Sequence, residues 1–573
     1  MTDQERQVPD PAVNPSPTPS QRWTKWRDTF RPLVRSRLGW ALGFGGAAAT
    51  VTGVTMVATG SVPWTRPWFW FAVLIATPIL AAGAVALREL VERPRRRPLP
   101  VWRNRRRAFF FDWVFIWAAW IPVWLTGWPG FWCYDAGNAY RLASAGTLST
   151  SMPPFHTFLA TGLQDAVARW TGHPNYGIAA FIALQSITVA AVFAYALRRL
   201  RAWGAPRLIR WGGLAYFALF PTIALFSLNW ARNTAFSAVV LLLAVCLVDA
   251  LKQPRRWRWV LVGVVALAAI ALRRDAIYVF IAFTVLTAIL YQPARKPLAI
   301  CFGTATIAGL LLDPVVYKGI MGLPQGTDVA TYSIPLQQMA RVYVKEPESL
   351  SASQQRQIES FISPKALSEY RPHLADLVIV GADMTKINQD TNGFFRLWAE
   401  VGLEHPTTYA DAAVANTVQG WLPGAVIDAY SGPGPGGATN PEDGTSYFCF
   451  RTEIPGQATP KGPAWIHNVY GDLSGNSRLP FELPVIGLIW SPATYLWLTV
   501  FAFALTAVKT RRGRPSAFLP VALLLLATCL PIFAGPTMLV RYFLQLFYCL
   551  PLLAAYLADA RVYRLPAFNT VNR

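Results

Sequence analysis

Long apolar runs separated by short clusters of basic residues are the feature that most constrains this chain. Runs of about 15–22 apolar residues recur from end to end, and a helix of about 20 residues crosses the hydrocarbon of a bilayer. In hydrocarbon a backbone has no water to bond, so such segments fold as helices packed into a bundle. Composition agrees. The chain has 573 residues, of which 53% are hydrophobic and 14% charged, whereas a soluble protein carries roughly a quarter charged residues. The runs predict an all-α integral membrane fold with about twelve transmembrane helices. They lie at 38–59, 68–87, 108–127, 177–197, 212–226, 234–251, 259–272, 276–291, 297–312, 483–506, 517–534 and 542–559.

The net charge is +22. The basic residues cluster at 88–107, 198–210, 252–258, 295–296 and 509–514, between apolar runs rather than along one face. This is the positive-inside pattern of cytoplasmic loops. It argues against nucleic acid as a partner and for the lipid bilayer. The expected location is the plasma membrane, multi-pass, with both termini cytoplasmic. Residues 1–20 are polar and Pro-rich, a disordered tail with no cleavable signal. Residues 22–37, basic with Trp23, Trp26 and Phe30 interleaved, suit the anionic inner leaflet.

The chain then divides into a cytoplasmic tail (1–37), two additional N-terminal helices with a basic loop (38–107), and a membrane core (108–312) with an outer loop at 128–176. An extracytoplasmic insert follows (313–482), then the C-terminal helices (483–560) and a short tail (561–573). Inside the insert, 351–361 reads as a helix capped by Ser351, and 392–401 and 406–417 also read as helices. Residues 431–437, S-G-P-G-P-G-G, read as a mobile loop. Residues 157–171 carry Phe158, Leu159, Leu163, Val167 and Trp170 at helical spacing, which predicts an amphipathic helix on the outer surface. Cys246, Cys301, Cys529 and Cys549 fall in apolar runs as packing residues. Cys133 and Cys449 both fall outside, and whether they are bonded stays open.

The outer face collects polar residues. Asp135 is followed by Asn138, Tyr140 and Arg141; His156 follows Pro153-Pro154; Asn229-Trp230-Ala231-Arg232-Asn233 breaks two apolar runs; Arg273-Arg274-Asp275 and Arg541-Tyr542 sit at two further turns. Ionisable groups at such positions are functional-site hypotheses by default. Arginine presents a planar fork that matches phosphate. A carboxylate among arginines suits a reaction in which an acceptor hydroxyl is deprotonated and a phosphate leaves. The plainer alternatives are snorkelling of Arg273 and Arg274 to headgroups, pairing of Asp275 with a neighbouring arginine, a turn hydrogen bond for His156, and a helix cap for Asp135. The chain has no G-x-x-x-x-G-K-[ST], no H-E-x-x-H and no paired C-x-x-C, so no metal ligands are assigned. A divalent cation on Asp135 stays open without a motif behind it.

An acid in the first outer loop, a spacer of about 18 residues, then Pro-Pro and an amphipathic helix resembles membrane glycosyltransferases of the GT-C type. More closely, residues from about 108 to 560 resemble a group of uncharacterised bacterial multi-pass membrane proteins related to them. The resemblance rests on Tyr134-Asp135-Ala136-Gly137, Pro154-Phe155-His156-Thr157, Trp230-Ala231-Arg232-Asn233, Leu272-Arg273-Arg274-Asp275-Ala276-Ile277-Tyr278, Pro335-Leu336-Gln337-Gln338-Met339-Ala340-Arg341 and Arg541-Tyr542. It implies a hexosyl or pentosyl transferase using a polyprenyl-phosphate-linked sugar and a glycan, lipid or protein acceptor. Asp135 would be the catalytic base. Arg232, Arg273 and Arg541 would face the lipid phosphate. Asn138, Tyr140, Arg141, His156, Arg274 and Gln337 would complete the substrate site. The chain departs from the pattern at Asn233, at Arg274-Asp275, and in lacking a second acid beside Asp135. A polytopic transporter or lipid flippase is the rival expectation, and a non-catalytic envelope scaffold the third. The first two helices, 38–87, lie outside the resemblance.

Overall fold

The computed structural model describes residues 36–92, 106–150, 153–326, 329–425, 450–451, 462–466, 468–469 and 485–565. Residues 1–35, the loop at 431–437, Cys449 and the side chains of Cys133 and Asp135 lie outside that description.

The chain opens with a helical hairpin, α1 (Arg37–Thr59) and α2 (Pro67–Glu92). Gly39, Gly43 and Ala47 recur every fourth residue on the buried side of α1. A Cβ at Gly43 would come within 2.6 Å of the Ala81 backbone nitrogen, so the two helices touch along a stripe of small residues. The bundle follows: α3 (Arg106–Thr126), α4 (Tyr134–Ser144), α5 (Pro154–Thr171), α6 (Pro174–Ala202), α7 (Arg207–Leu219), α8 (Pro221–Ser227), α9 (Arg232–Lys252), α10 (Arg256–Leu272), α11 (Ala276–Leu290) and α12 (Arg295–Leu311). A π-helical stretch, Leu312–Ile320, extends α12. The insert holds α13 (Ser333–Lys345), α14 (Ala352–Phe361), α15 (Pro364–Ser368), α16 (Asp376–Val380), α17 (Met384–Gln389), α18 (Thr391–Glu404) and α19 (Pro406–Trp421). The chain returns to the bundle as α20 (Ile486–Trp490), α21 (Pro492–Arg511), α22 (Phe518–Phe533), α23 (Leu544–Tyr548) and α24 (Leu550–Ala558).

Among the described residues seven helices are long and apolar enough to cross a membrane, and nine if each of two bent pairs is one span. This is fewer than the twelve expected, and the difference has local causes. The runs at 212–226 and 542–559 are bent, by 53° between α7 and α8 and by 43° at Cys549. Phe220, directly before Pro221, is extended at φ −71° and ψ 120°; proline disfavours helical geometry in the residue before it. The runs at 259–272, 276–291 and 517–534 fold as helices of 17, 15 and 16 residues, at the short end for a full crossing.

Two faces are distinct. On one, the ends of α2, α9, α21 and the C-terminal segment meet, with Lys509 3.4 Å from Glu92 and Lys252 donating to the Val562 carbonyl at 2.6 Å. This basic face carries the clusters expected of cytoplasmic loops. The opposite, insert face carries the 60–64 loop, the insert and the 535–541 loop. The insert has its own core of Leu336, Met339, Ile358, Phe361, Phe394, Leu397 and Val401. The expected Ser351 cap is present as a full capping box with Gln354, and the helices expected at 392–401 and 406–417 are α18 and α19.

The amphipathic helix expected at 157–171 is α5. Its apolar residues Phe155, Phe158, Leu159 and Trp170 are exposed, while His156, Thr157, Thr161 and Gln164 are buried. It packs along α6, where Gly177 comes so close that a Cβ would sit 2.3 Å from the Gln164 carbonyl oxygen. A polar inner side and an apolar outer side fit a helix beside lipid rather than one lying on water. Cys246, Cys301, Cys529 and Cys549 are buried free thiols, as packing residues should be.

Candidate functional site

Three short strands organise the insert face in the order β2-β1-β3: β1 (Phe131–Cys133), β2 (Asn229–Trp230) and β3 (Phe450–Arg451). β1 and β2 are parallel, pairing Phe131 with Asn229 and Trp132 with Trp230. β1 and β2 each lead into a helix. α4 begins at Tyr134, with Asp135 its second residue, and α9 begins at Arg232. Two parallel neighbours therefore launch the Asp135 and Arg232 backbones side by side. Residues nearly 100 positions apart in sequence share one rim.

An aromatic nest packs beneath that rim. Trp132 stacks on Trp230 with ring centroids 5.7 Å apart, and His156 sits edge-on to Trp230 at 5.0 Å and to Phe181 at 5.5 Å. Tyr140 meets Trp132 at 5.8 Å. Gln185 of α6 donates to the Asn229 carbonyl at 2.7 Å and the Ser227 carbonyl at 3.1 Å, which holds the break between α8 and α9 open. His156 is buried in this nest. Its Nε2 is buried and has no hydrogen-bond partner among the described residues. The same holds for Trp132 Nε1, Gln185 Oε1 and both side-chain polar atoms of Asn229 and Gln164. Buried polar atoms of this kind call for an explanation in water, ligand or mechanism. Burial, reinforced by the positive charge of Arg232 and opposed by the Gln185 side chain, pulls the His156 imidazole down to about 4. It is neutral at pH 7.

A second group adjoins the first along α9. Phe236, one turn after Arg232, lies under the Arg273 guanidinium at 5.0 Å. Arg273 also lies 5.8 Å from the Tyr542 ring, and Arg541 covers the same ring at 5.1 Å and donates to its hydroxyl at 3.2 Å. Arg273 grips Asp275 through Nε at 3.0 Å and Nη2 at 2.5 Å, the plainer pairing foreseen for Asp275. Arg274 pairs with Asp313 at 3.1 Å.

The sequence-derived residues thus separate into three sets. His156 and Arg232 converge, and Arg273 and Arg541 join them through Phe236 and Tyr542. Asn138 and Arg141 bond each other at 2.9 Å on α4, with Arg141 exposed, and Arg274 turns to Asp313. Gln337 lies inside the insert, where it donates to the Arg371 carbonyl at 2.7 Å and the Pro372 carbonyl at 3.3 Å, a tie within the insert rather than part of the rim. Sequence reasoning missed Gln185, Trp132 and Phe236. Gln185 carried a signal, a lone amide inside an apolar run; Trp132 and Phe236 look like any membrane aromatic. Among the described residues no group of three His, Cys, Asp or Glu side chains is placed to hold a metal ion.

The model of a family of unknown function, DUF6020, matches residues 143–564. No curated protein and no solved structure matches the chain. The match covers His156, Arg232, Arg273, Arg541 and the insert. It begins after Asp135, Asn138, Tyr140 and Arg141, and the N-terminal hairpin lies wholly outside it.

Proposed function

The chain belongs to the DUF6020 family, and within it we propose a membrane glycosyltransferase of the GT-C type. It transfers a sugar from a polyprenyl-phosphate donor to a glycan, lipid or protein acceptor at the insert face. The observation that carries this reading is the parallel pairing of β1 with β2, which starts the Asp135 helix beside the Arg232 helix. Asp135, as general base, takes the proton of an acceptor hydroxyl. The hydroxyl oxygen bonds to the anomeric carbon as the bond from that carbon to the phosphate oxygen breaks, with inversion. The polyprenyl phosphate leaves with the electron pair, and Arg232 and Arg541 stabilise its charge. Arg273 is already shared with Asp275 and orients Tyr542 and Phe236 rather than meeting the phosphate alone. The exposed apolar side of α5 suits a donor whose lipid stays in the bilayer.

In this reading the insert face is extracytoplasmic, and the basic face and both termini are cytoplasmic in a plasma membrane. Counting the two bent pairs and the short helices α10, α11 and α22 as crossings brings the spans to about twelve. The test is a transfer assay with purified protein in nanodiscs and a panel of labelled polyprenyl-phosphate sugars. Asp135→Asn should lower turnover by about 10²–10⁴-fold with donor binding kept. Equal turnover by that variant removes Asp135 from the base role.

One observation favours the transporter or flippase alternative. The breaks in the two bent pairs pack on each other, with the Tyr216 hydroxyl donating to the Phe547 carbonyl at 3.3 Å, and discontinuous helices form many transport sites. Movement of lipid or solute in the same vesicles, without sugar transfer, would select that reading.

A further inference from the structure

The N-terminal hairpin has no role in the proposed chemistry and lies outside the family match, yet its loop is held by charged side chains buried inside the insert. Asp411 of α19 accepts from the Val62 amide at 3.1 and 3.3 Å and from the Trp64 indole at 2.9 Å. Arg341 of α13 donates to the Gly60 carbonyl at 2.5 Å and lies 3.6 Å from Asp411. Their side chains are 3% and 9% exposed. A surface ion pair would say little. A buried one that also bonds another module ties the two modules together, because separating them leaves Asp411 without the Val62 and Trp64 donors and Arg341 without the Gly60 carbonyl. Apolar packing backs the tie: Ala47, Met56, Val62, Phe69 and Val73 of the hairpin enclose Ala415 of α19. A Cβ at Gly53 would come within 2.9 Å of the Trp421 ring.

The other side of α19, together with the 371–375 turn, grips the loop that leads to Arg541. Asn416 donates to the Gly535 carbonyl at 2.9 Å, and the Ala375 amide donates to the Pro536 carbonyl at 2.8 Å. Thr537 donates to the His373 carbonyl at 3.4 Å, and His373 Nδ1 donates to the Ala415 carbonyl at 2.6 Å. Gln337, one turn before Arg341, holds the 371–372 turn from beneath. One layer of side chains therefore separates the hairpin loop from the loop that presents Arg541.

We propose that the N-terminal hairpin is an intramolecular clamp that fixes, through the Arg341–Asp411 pair, the position of the loop carrying Arg541. Arg341 and Asp411 act as positioning residues. The inference does not depend on the transferase reading, since it concerns where Arg541 is held and not what it binds.

The test is hydrogen–deuterium exchange on the full chain in nanodiscs, comparing wild type, Asp411→Asn and Trp64→Phe. Trp64→Phe removes one donor to Asp411 and keeps the charge pair. Exchange at 371–376 and 537–543 is expected to rise about tenfold in Asp411→Asn and about threefold in Trp64→Phe, with 234–250 in the bundle core unchanged. The Ala375 amide reports the contact directly. The proposal is overturned if faster exchange stops at 60–66 and 405–421. It is equally overturned if 537–543 loosens only together with 234–250, which marks general destabilisation. If Asp411→Asn does not fold, Trp64→Phe decides by the same comparison.

Discussion

His156 shows how much one side chain's surroundings decide. Read along the chain it is a histidine after two prolines. In the fold it is a neutral ring between Phe181 and Trp230, next to the charge of Arg232. An unfolded imidazole titrates near pH 6.5, and in the folded protein it titrates at about 4. Between those values the unfolded chain binds more protons, so stability falls as pH falls. It is complete above about pH 6.5 and declines by on the order of 3 kcal/mol by about pH 4. Replacing His156 with Phe should remove this acid sensitivity, measured as the pH dependence of thermal unfolding in detergent. An unchanged slope would assign the sensitivity to another group. Arg273 gives the complementary lesson. Its sequence position suggested a phosphate ligand, but a carboxylate two residues away already takes two of its donors. That pairing was open from the sequence; what the fold added is the Phe236 and Tyr542 rings beside it.

At the scale of elements, signals confined to one segment were the legible ones. Ser351 caps α14 with Gln354 returning the bond, because both partners lie within four residues. Ser351→Ala should cost about 1 kcal/mol, seen as a lower unfolding temperature of the insert and faster exchange over 352–361. Wild-type stability in that variant would mean the helix is held by packing alone. The limits of α5 were also legible, but the direction it faces was not. Hydrophobic periodicity finds the two sides of a helix; whether the apolar side meets protein or lipid depends on what lies opposite. Here Phe181 of α6 and Trp230 pack on the His156 ring, Gly177 of α6 lies against the Gln164 backbone, and the apolar side is left for the bilayer. The two bends were foreshadowed by Pro221 and Pro551, yet a hydropathy window averages across them and reads a single run.

For the whole molecule, charge does two kinds of work on the basic face. Most arginines there stay near the surface, as the positive-inside pattern requires. A few turn inward as staples. Arg201 pairs with Asp112 across α6 and α3, with side chains 4% and 1% exposed. Asp249 takes Arg199 at 2.5 Å and Trp203 at 2.8 Å. Removing one partner from a buried pair leaves the other charge uncompensated, at a cost of about 3–5 kcal/mol. Asp112→Asn should therefore lower the unfolding temperature of the entire bundle. A change of well under 1 kcal/mol, on the scale of an exposed pair, would mean that water reaches Arg201. From sequence alone these arginines were indistinguishable from their neighbours in the loops, since nothing local tells a side chain which way its helix is turned.

The sequence by itself determined that this is a helical membrane protein with a folded insert. Segment length, hydropathy and capping act within a few residues, and hydrocarbon leaves a backbone no choice but internal hydrogen bonds. It also nominated His156, Arg232, Arg273 and Arg541, because ionisable groups beside apolar runs are conspicuous. Only the tertiary structure decided that β1 lies beside β2, that α5 turns its polar side inward, that Gln337 belongs to the insert's own scaffold, and that the hairpin rests on Asp411. Those outcomes join residues tens to hundreds of positions apart. They depend on shape and bonding between surfaces, which no period or motif within either segment encodes.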